Sequence, residues 1–431
     1  MLNRIARILD FLAITLVVIV GATSDVPRLT GQTDRVRAFT RGIEFDYPTW
    51  VWDASWIKVE QNLIGLPHLF DRATNKQIVF EYLRTTQKLM EVEFQIERVF
   101  ADPAIEDKDA TSAFLRAQRV ELVARQELLA PLAEAAFQSQ ITDALAESGL
   151  TTGGQPIPPV LYHTTPTPLA LIVSRRDVIQ QIANISVLPT LTLDDQITLE
   201  NRVAESLDVS TLTVPIGGVG VYPTMVTETT NLQWLLETIA HEWTHNYLNL
   251  RPLGINYSTT PELRTMNETT ASIAGTEIGS YVIQKYYPEL ARSKSDLETS
   301  LRLRDNRIAL GFAPLPSNGF EEVPPFDFRA EMNETRVTAD ELLVQGKIEE
   351  AEAYMEERRQ FFWQNGYLFR KLNQAYFAFH GAYADVPGGA AGEDPVGPAV
   401  RALREQSDSL ADFIGTISFM TSFEELKEAI R

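Results

Sequence analysis

Residues 231–250 have the sequence NLQWLLETIAHEWTHNYLNL, and this stretch determines how the rest of the chain is interpreted. No proline interrupts it, and its apolar residues recur three and four positions apart, which predicts one amphipathic helix. Residues four apart lie on one face of a helix, so two stripes are predicted. The stripe expected to pack in the core consists of Leu236, Ala240, Trp243, Tyr247 and Leu250. The stripe expected to carry the functional groups consists of Trp234, Thr238, His241, His245 and Leu248.

The second stripe contains His241-Glu-Trp-Thr-His245, an H-E-x-x-H motif. Its two imidazoles share one helix face and can therefore reach a single zinc ion. Glu242, next to the first histidine, is then placed to take a proton from a water molecule at the metal, as a general base. The alternative is a pair of histidines that only pack in the core. The uncharged neighbours Trp243 and Thr244 and the unbroken helix favour the metal site.

This pattern resembles the zincins, metallopeptidases in which a third ligand further along the chain completes the zinc site. Metzincins have a glycine and another histidine just downstream, where this chain has Leu248 and Arg251. Aspzincins have an aspartate, which the segment after the motif lacks. The Asn267-Glu268 pair resembles that of the gluzincins, which include thermolysin-like peptidases and zinc aminopeptidases. The resemblance implies that zinc is the cofactor, with Glu268 as its third ligand beside His241 and His245.

Helix periodicity around Glu268 agrees with this choice. Ser272, Gly275 and Gly279 lie on the same helix face as Glu268, and such small residues allow another helix to approach closely. Two helices that bind one ion must approach in this way. Glu277 is the main rival ligand, but at ~100° per residue it points away from Glu268.

The chain departs from these families in two places. Thermolysin-like enzymes have an aspartate four residues after the glutamate ligand, where it orients the first histidine, and this chain has Ser272. A partner for the histidines must come from elsewhere, with Glu237 and Glu277 as candidates. Zinc aminopeptidases carry an upstream Gly-x-Met-Glu-Asn segment, whereas the glycine-rich segment 217–220 contains no glutamate. More faintly, the layout resembles bacterial membrane-associated peptidases with long helices around an H-E-x-x-H core.

Composition excludes several other classes of function. The chain has 58 acidic and 38 basic residues, a net charge of −20, which argues against binding to nucleic acid. It has no cysteine, so disulfides, thiolate metal sites and cysteine nucleophiles are excluded. Any metal must be bound by carboxylates and the five histidines.

The N-terminus has the features of an export signal. Arg4 and Arg7 precede an apolar run, residues 11–20, that is shorter than the ~20 residues of a spanning helix. We expect either a cleaved signal peptide or an uncleaved anchor that attaches the protein to the membrane through residues 8–22. Both place the remainder outside the cytoplasm, secreted or anchored, whereas a buried N-terminal helix is the alternative.

The rest of the chain is predicted to be predominantly helical. Residues 1–24 are the signal or anchor, 25–150 a helical region whose hairpin turns at 101–110, 151–300 the catalytic core, and 301–431 a helical region that completes the cleft. Within the core, residues 169–173 and 211–221 are expected to be strands, 193–207 a helix, and 214–223 an edge strand or a loop. The expected fold class is α+β, with a zincin-like core of a small sheet and two ligand-bearing helices, flanked by helical segments.

These observations predict a zinc-dependent metallopeptidase that hydrolyses a peptide or protein substrate. Zincins usually add a Tyr or His that stabilises the oxyanion, and His380 and Tyr383 are the candidates here, with aromatic packing as the alternative. His68 and His163 lack metal-ligand spacing and are expected to be structural. A non-catalytic zinc-binding surface module and a zinc hydrolase acting on other bonds remain alternatives.

Overall fold

The computed structural model describes residues 31–63, 65, 70–101, 105–290, 328–365, 367, 369–380 and 395–431. This part of the chain is mainly helical with two small sheets, which confirms the mostly helical α+β class. Within it, no helix is both long and apolar enough to cross a membrane. The expected anchor at residues 8–22 lies outside the described residues.

The elements are numbered in chain order. The helices are α1 (Gln32–Thr40), α2 (Tyr47–Leu63), α3 (Arg72–Ala101), α4 (Lys108–Glu147), α5 (Leu193–Leu207), α6 (Leu232–Leu248), α7 (Pro252–Ile255), α8 (Pro261–Tyr286), α9 (Phe328–Val344), α10 (Ile348–Gln364), α11 (Gln374–His380), α12 (Val396–Gln406), α13 (Leu410–Ile417) and α14 (Phe423–Ala429). The strands are β1 (Tyr162–Thr164), β2 (Leu169–Arg175), β3 (Gln181–Val187), β4 (Val209–Pro215), β5 (Gly218–Val219) and β6 (Thr224–Val226).

Helices α3 and α4 form the long hairpin that the sequence predicts. They pack against each other along their length, and Asp107 begins α4 by accepting a hydrogen bond from the Ala110 amide at 2.8 Å. Nearly all buried residues of α4 lie in its second half, from Leu129 to Leu145. Because this half shares one apolar core with α6 and α8, the hairpin supports the two helices that carry the H-E-x-x-H motif and Glu268.

The larger sheet has the antiparallel order β3-β2-β4. Its central strand is apolar on both faces: Ala170 and Ile172 face one core cluster, and Leu171 and Val173 face another. Helices α1 and α5 cover the second face, and α11 packs on the first. The strand predicted at 169–173 and the helix predicted at 193–207 are confirmed, whereas β3 was not predicted.

The smaller sheet has the order β1-β6-β5 and lies beside α6. The segment predicted as one strand over 211–221 is divided, because β4 ends at Pro215 and the glycine-rich residues form the separate two-residue strand β5. Strand β5 is at the edge of this sheet and pairs antiparallel with β6. The segment 214–223, expected to be an edge strand or a loop, therefore contains both, because residues 220–223 form no strand.

Helices α6 and α8 are packed backbone against backbone. A Cβ atom on Gly275 would lie 2.7 Å from the carbonyl oxygen of Glu237, and one on Gly279 would lie 2.5 Å from Glu237 Cγ. Such contacts leave no room for a side chain, so the predicted role of the small residues in close helix approach is confirmed.

The two stripes predicted for α6 are wrong at the end of the helix. Leu236, Ala240 and Trp243 are buried as expected, but Leu250 is 62% exposed. The helix ends at Leu248, so Leu250 no longer follows the helical periodicity. Leu248, assigned to the functional stripe, is instead fully buried in the core.

We expect Gly275→Ala to destabilise the fold by about 1–3 kcal/mol, because the new methyl group forces α6 and α8 apart. Gly415→Ala is the control, since a Cβ there meets no atom within 4 Å. Alanine in that helical position should be neutral or stabilise by about 0.5–1 kcal/mol. Urea denaturation measures both effects, and equal stability of the two variants would contradict the close packing of α6 and α8.

Candidate metal centre

The three predicted metal ligands converge at the contact between α6 and α8. The Nε2 atoms of His241 and His245 are 3.0 Å apart, and Glu268 Oε2 lies 3.6 Å and 3.5 Å from them, respectively. The histidine side chains are 19% and 14% exposed, whereas Glu268 is buried. The three residues form a group that can hold one cation.

Hydrogen bonding directs a lone pair of His245 into this group. Its Nδ1 lies 2.7 Å from Asn267 Oδ1, which only accepts hydrogen bonds, so Nδ1 carries the proton. In the neutral imidazole, Nε2 is then an acceptor that faces Nε2 of His241. Glu268 Oε2 is also buried there without a hydrogen-bond partner. In this state Nε2 of His245 and Oε2 of Glu268 are two acceptors that face each other at 3.5 Å, and a cation or a proton between them would satisfy both.

The distances suit a divalent cation such as zinc. Four tetrahedral ligands at ~2.0–2.1 Å from zinc would be ~3.3–3.4 Å from one another. The observed separations of 3.0, 3.5 and 3.6 Å bracket that value. Three protein ligands are the number found in catalytic zinc sites, which keep a position open, whereas structural sites usually have four.

The pKa values of His245 and Glu268 are shifted by their mutual interaction. Burial opposes protonation of His245, yet the carboxylate of Glu268 raises the pKa of His245 to about 9. Burial likewise opposes ionisation of Glu268, but the charge of His245 and contacts with both imidazoles hold the pKa of Glu268 well below its usual value. In the absence of a metal, a proton on His245 supplies the positive charge.

Glu242 lies directly beneath strand β5. A Cβ atom on Gly218 would be 2.6 Å from Glu242 Oε1, and one on Gly220 would be 3.0 Å from His245 Cβ. Glycine is therefore needed for this strand to lie against the motif. Burial raises the pKa of Glu242, and the charge of Glu268 adds to this effect while the histidines oppose it.

Hydrogen bonds fix the motif helix in place next to this strand. Asn246 Nδ2 donates to the Val221 carbonyl and to Thr224 Oγ1, both at 3.1 Å. Trp243 Nε1, three residues before Asn246, donates to the Pro158 carbonyl at 2.8 Å. These bonds explain why the residues within and beside the motif are uncharged.

The structure excludes one of the two residues predicted as partners of the histidines. Glu277 points away from the site and forms two hydrogen bonds with Arg404, at 2.8 and 2.9 Å, so it is neither a ligand nor a partner of the histidines. Glu237 lies one turn before His241 and accepts a hydrogen bond from Gln233 at 2.9 Å. Asn267, adjacent to Glu268, is the residue that contacts Nδ1 of His245.

His380, one of the two candidate oxyanion donors, belongs to α11, which packs against the larger sheet. His380 is buried at the end of α11, its ring 4.3 Å from that of Tyr376 and 5.0 Å from that of Phe379. Burial lowers its pKa to about 3, so the imidazole is neutral. These surroundings agree with the alternative expected for His380, which is packing among aromatic side chains. Tyr383 lies outside the described residues.

The other two histidines were expected to be structural. His163 Nδ1 lies 2.9 Å from Oε1 of the buried Glu134, which also pairs with Lys58 at 2.5 Å. This cluster links α2, α4 and β1 and agrees with a structural role for His163. His68 lies outside the described residues.

Two residues of the site were missed by sequence reasoning. Asn267 was noted only as part of the Asn-Glu pair, and Tyr257 was not considered. Tyr257 donates from its hydroxyl to Glu268 Oε1 at 2.5 Å, and its ring is 6.3 Å from that of His245. Burial and the charge of Glu268 raise the pKa of Tyr257, so the hydroxyl keeps its proton. Its position in the sequence between α6 and α8 was the one available signal.

No family model matches this chain, and neither the curated proteins nor the solved structures contain a match to it. The case for its function therefore depends on the residues and geometry of the site.

Without metal, we expect the stabilising contribution of the His245–Glu268 pair to disappear as the pH rises. The pKa of His245 is about 9 in the folded chain and ~6.5 in an unfolded one. The contribution is thus complete below pH ~6.5 and is lost as the pH passes through about 9. The difference in unfolding free energy between wild type and Glu268→Gln should shrink over this range.

Urea denaturation in a chelator, between about pH 6 and pH 10, measures this difference, and groups that titrate alike in both proteins cancel. Glu277→Gln is the control, because Glu277 is on the same helix but bonds to Arg404 and not to the histidines. A wild type–Glu268→Gln difference that is independent of pH would contradict the assigned His245–Glu268 interaction.

Proposed function

We propose that this chain is a zinc-dependent metallopeptidase of the gluzincin type, with His241, His245 and Glu268 as metal ligands and Glu242 as general base. The observation that carries the proposal is the convergence of two imidazole nitrogens and one carboxylate oxygen at 3.0–3.6 Å beside a buried glutamate of the same motif. A metal site that only stabilises the fold needs no additional glutamate to act as a base.

When bound, zinc supplies a Lewis acid that polarises the peptide carbonyl and lowers the pKa of a water molecule. The protein residues perform the remaining steps. Asn267 keeps the proton of His245 on Nδ1, so that Nε2 remains a ligand. Strand β5 excludes solvent from one side of Glu242.

Glu242 moves the proton in this proposal. Its buried carboxylate has a raised pKa, which makes it a better proton acceptor than an exposed glutamate. It takes the proton of the attacking water and passes it to the leaving amine. The same group acts as base and then as acid, and ends the cycle as it began.

The proposed substrate is an extended peptide or a segment of a protein. Strand β5 pairs with β6 on one side, and within the described residues no strand pairs with its other side. An extended peptide can add to such an edge by main-chain hydrogen bonds, which would place it across Glu242. The net charge of −20 argues against a nucleic-acid partner. We also propose that the protein is exported, either secreted or anchored through residues 8–22.

We expect Glu242→Gln to lower the rate of casein cleavage by about 10²–10⁴-fold while the variant still binds zinc, because the amide cannot accept the proton. Glu262→Gln, an exposed change at the start of α8, is the matched control and should cleave at the wild-type rate. A chelator should abolish cleavage by the wild type. Zinc-loaded wild type that leaves casein intact would contradict the peptidase and favour a non-catalytic module or another zinc hydrolase.

A further inference from the structure

The two carboxylate oxygens of Glu268 have different surroundings. Oε1 accepts the hydrogen bond from the Tyr257 hydroxyl at 2.5 Å. Oε2 has no hydrogen-bond partner and faces the two Nε2 atoms at 3.5 and 3.6 Å. A carboxylate with both oxygens free can bind a cation through either or both of them. The hydroxyl of Tyr257 removes that freedom.

Tyr257 is held in place by the connection between α6 and α8. Its amide donates to the Gly254 carbonyl at 3.1 Å, and the Leu253 amide donates to the Ser418 carbonyl at 3.0 Å. A Cβ atom on Gly254 would lie 2.2 Å from the carbonyl oxygen of Leu248, so the connection is packed tightly on the end of α6. The phenol therefore reaches Glu268 from a fixed backbone.

We propose that Tyr257 is a positioning residue of the metal centre, which occupies Oε1 and presents Glu268 to the cation through Oε2 alone. This inference rests on the proposed function, because it takes Glu268 as a metal ligand. A glutamate restricted to one oxygen leaves a coordination position free, as a catalytic site requires. The ring of Tyr257 also lies edge-on to His245, so one side chain adjoins two of the three ligands.

The test compares Tyr257→Phe with wild type in the full-length chain. The substitution removes one hydroxyl and keeps the ring. We expect zinc affinity, measured by competition with a chromogenic chelator, to fall about 10- to 100-fold. Tyr247→Phe is the matched control: its ring packs against Trp243 on the same helix, and its zinc affinity should equal that of wild type.

The absorption spectrum of the cobalt-substituted protein is the second measurement, because its visible bands depend on the number and geometry of the ligands. We expect Tyr257→Phe to change this spectrum as the freed Oε1 joins the metal, and Tyr247→Phe to leave it unchanged. A residue that only supported the fold would lower the stability of the metal-free chain without altering the spectrum of the loaded one.

The outcomes separate this inference from the proposed function. If wild type binds zinc tightly and Tyr257→Phe has the same affinity and cobalt spectrum, the role of Tyr257 is overturned and the zinc peptidase stands. If folded wild type binds neither zinc nor cobalt, both proposals are overturned.

Discussion

The contact between α6 and α8 at Gly275 and Gly279 constrains the rest of the structure. The three proposed ligands come from both helices, and their donor atoms can converge within 3.0–3.6 Å only if the backbones meet without intervening side chains. Helices α4 and α12 pack against α8, and β5 and β6 pack against α6. Much of the described chain therefore packs around α6 and α8 and fixes the distance between them.

The site concentrates groups that are costly to bury alone. A buried carboxylate without a counter-charge destabilises a fold strongly, and Glu242 and Glu268 are both buried here. Protonation of His245 offsets the charge of Glu268 in the metal-free chain, and a bound divalent cation would do so more completely. In this account, the same burial that makes the site costly gives Glu242 the raised pKa that suits a base.

The sequence predicted the features that follow from local periodicity. The spacing of the motif, the small residues facing α6 and the outward direction of Glu277 all depend on the helical repeat and appear as expected. The hydrogen bonds of Asn267 and Tyr257 depend on where a loop returns in space, which no periodicity encodes. Strands β1 and β6 were missed because each has only three residues and they pair with each other across a long stretch of sequence. The seven-residue strand β3, which pairs with its neighbour β2, was also missed. The prediction that Leu250 is buried was wrong because the helix ends at Leu248, before this residue.

The central claim is that His241, His245 and Glu268 together bind one zinc ion, and metal analysis of the purified full-length chain tests it most directly. The account predicts about one zinc per wild-type chain, loss of that zinc in His245→Ala and in Glu268→Ala, and its retention in Glu277→Ala. Folded wild type that neither contains zinc nor takes it up would contradict the account. Retention of zinc by Glu268→Ala together with its loss from Glu277→Ala would contradict the choice of third ligand.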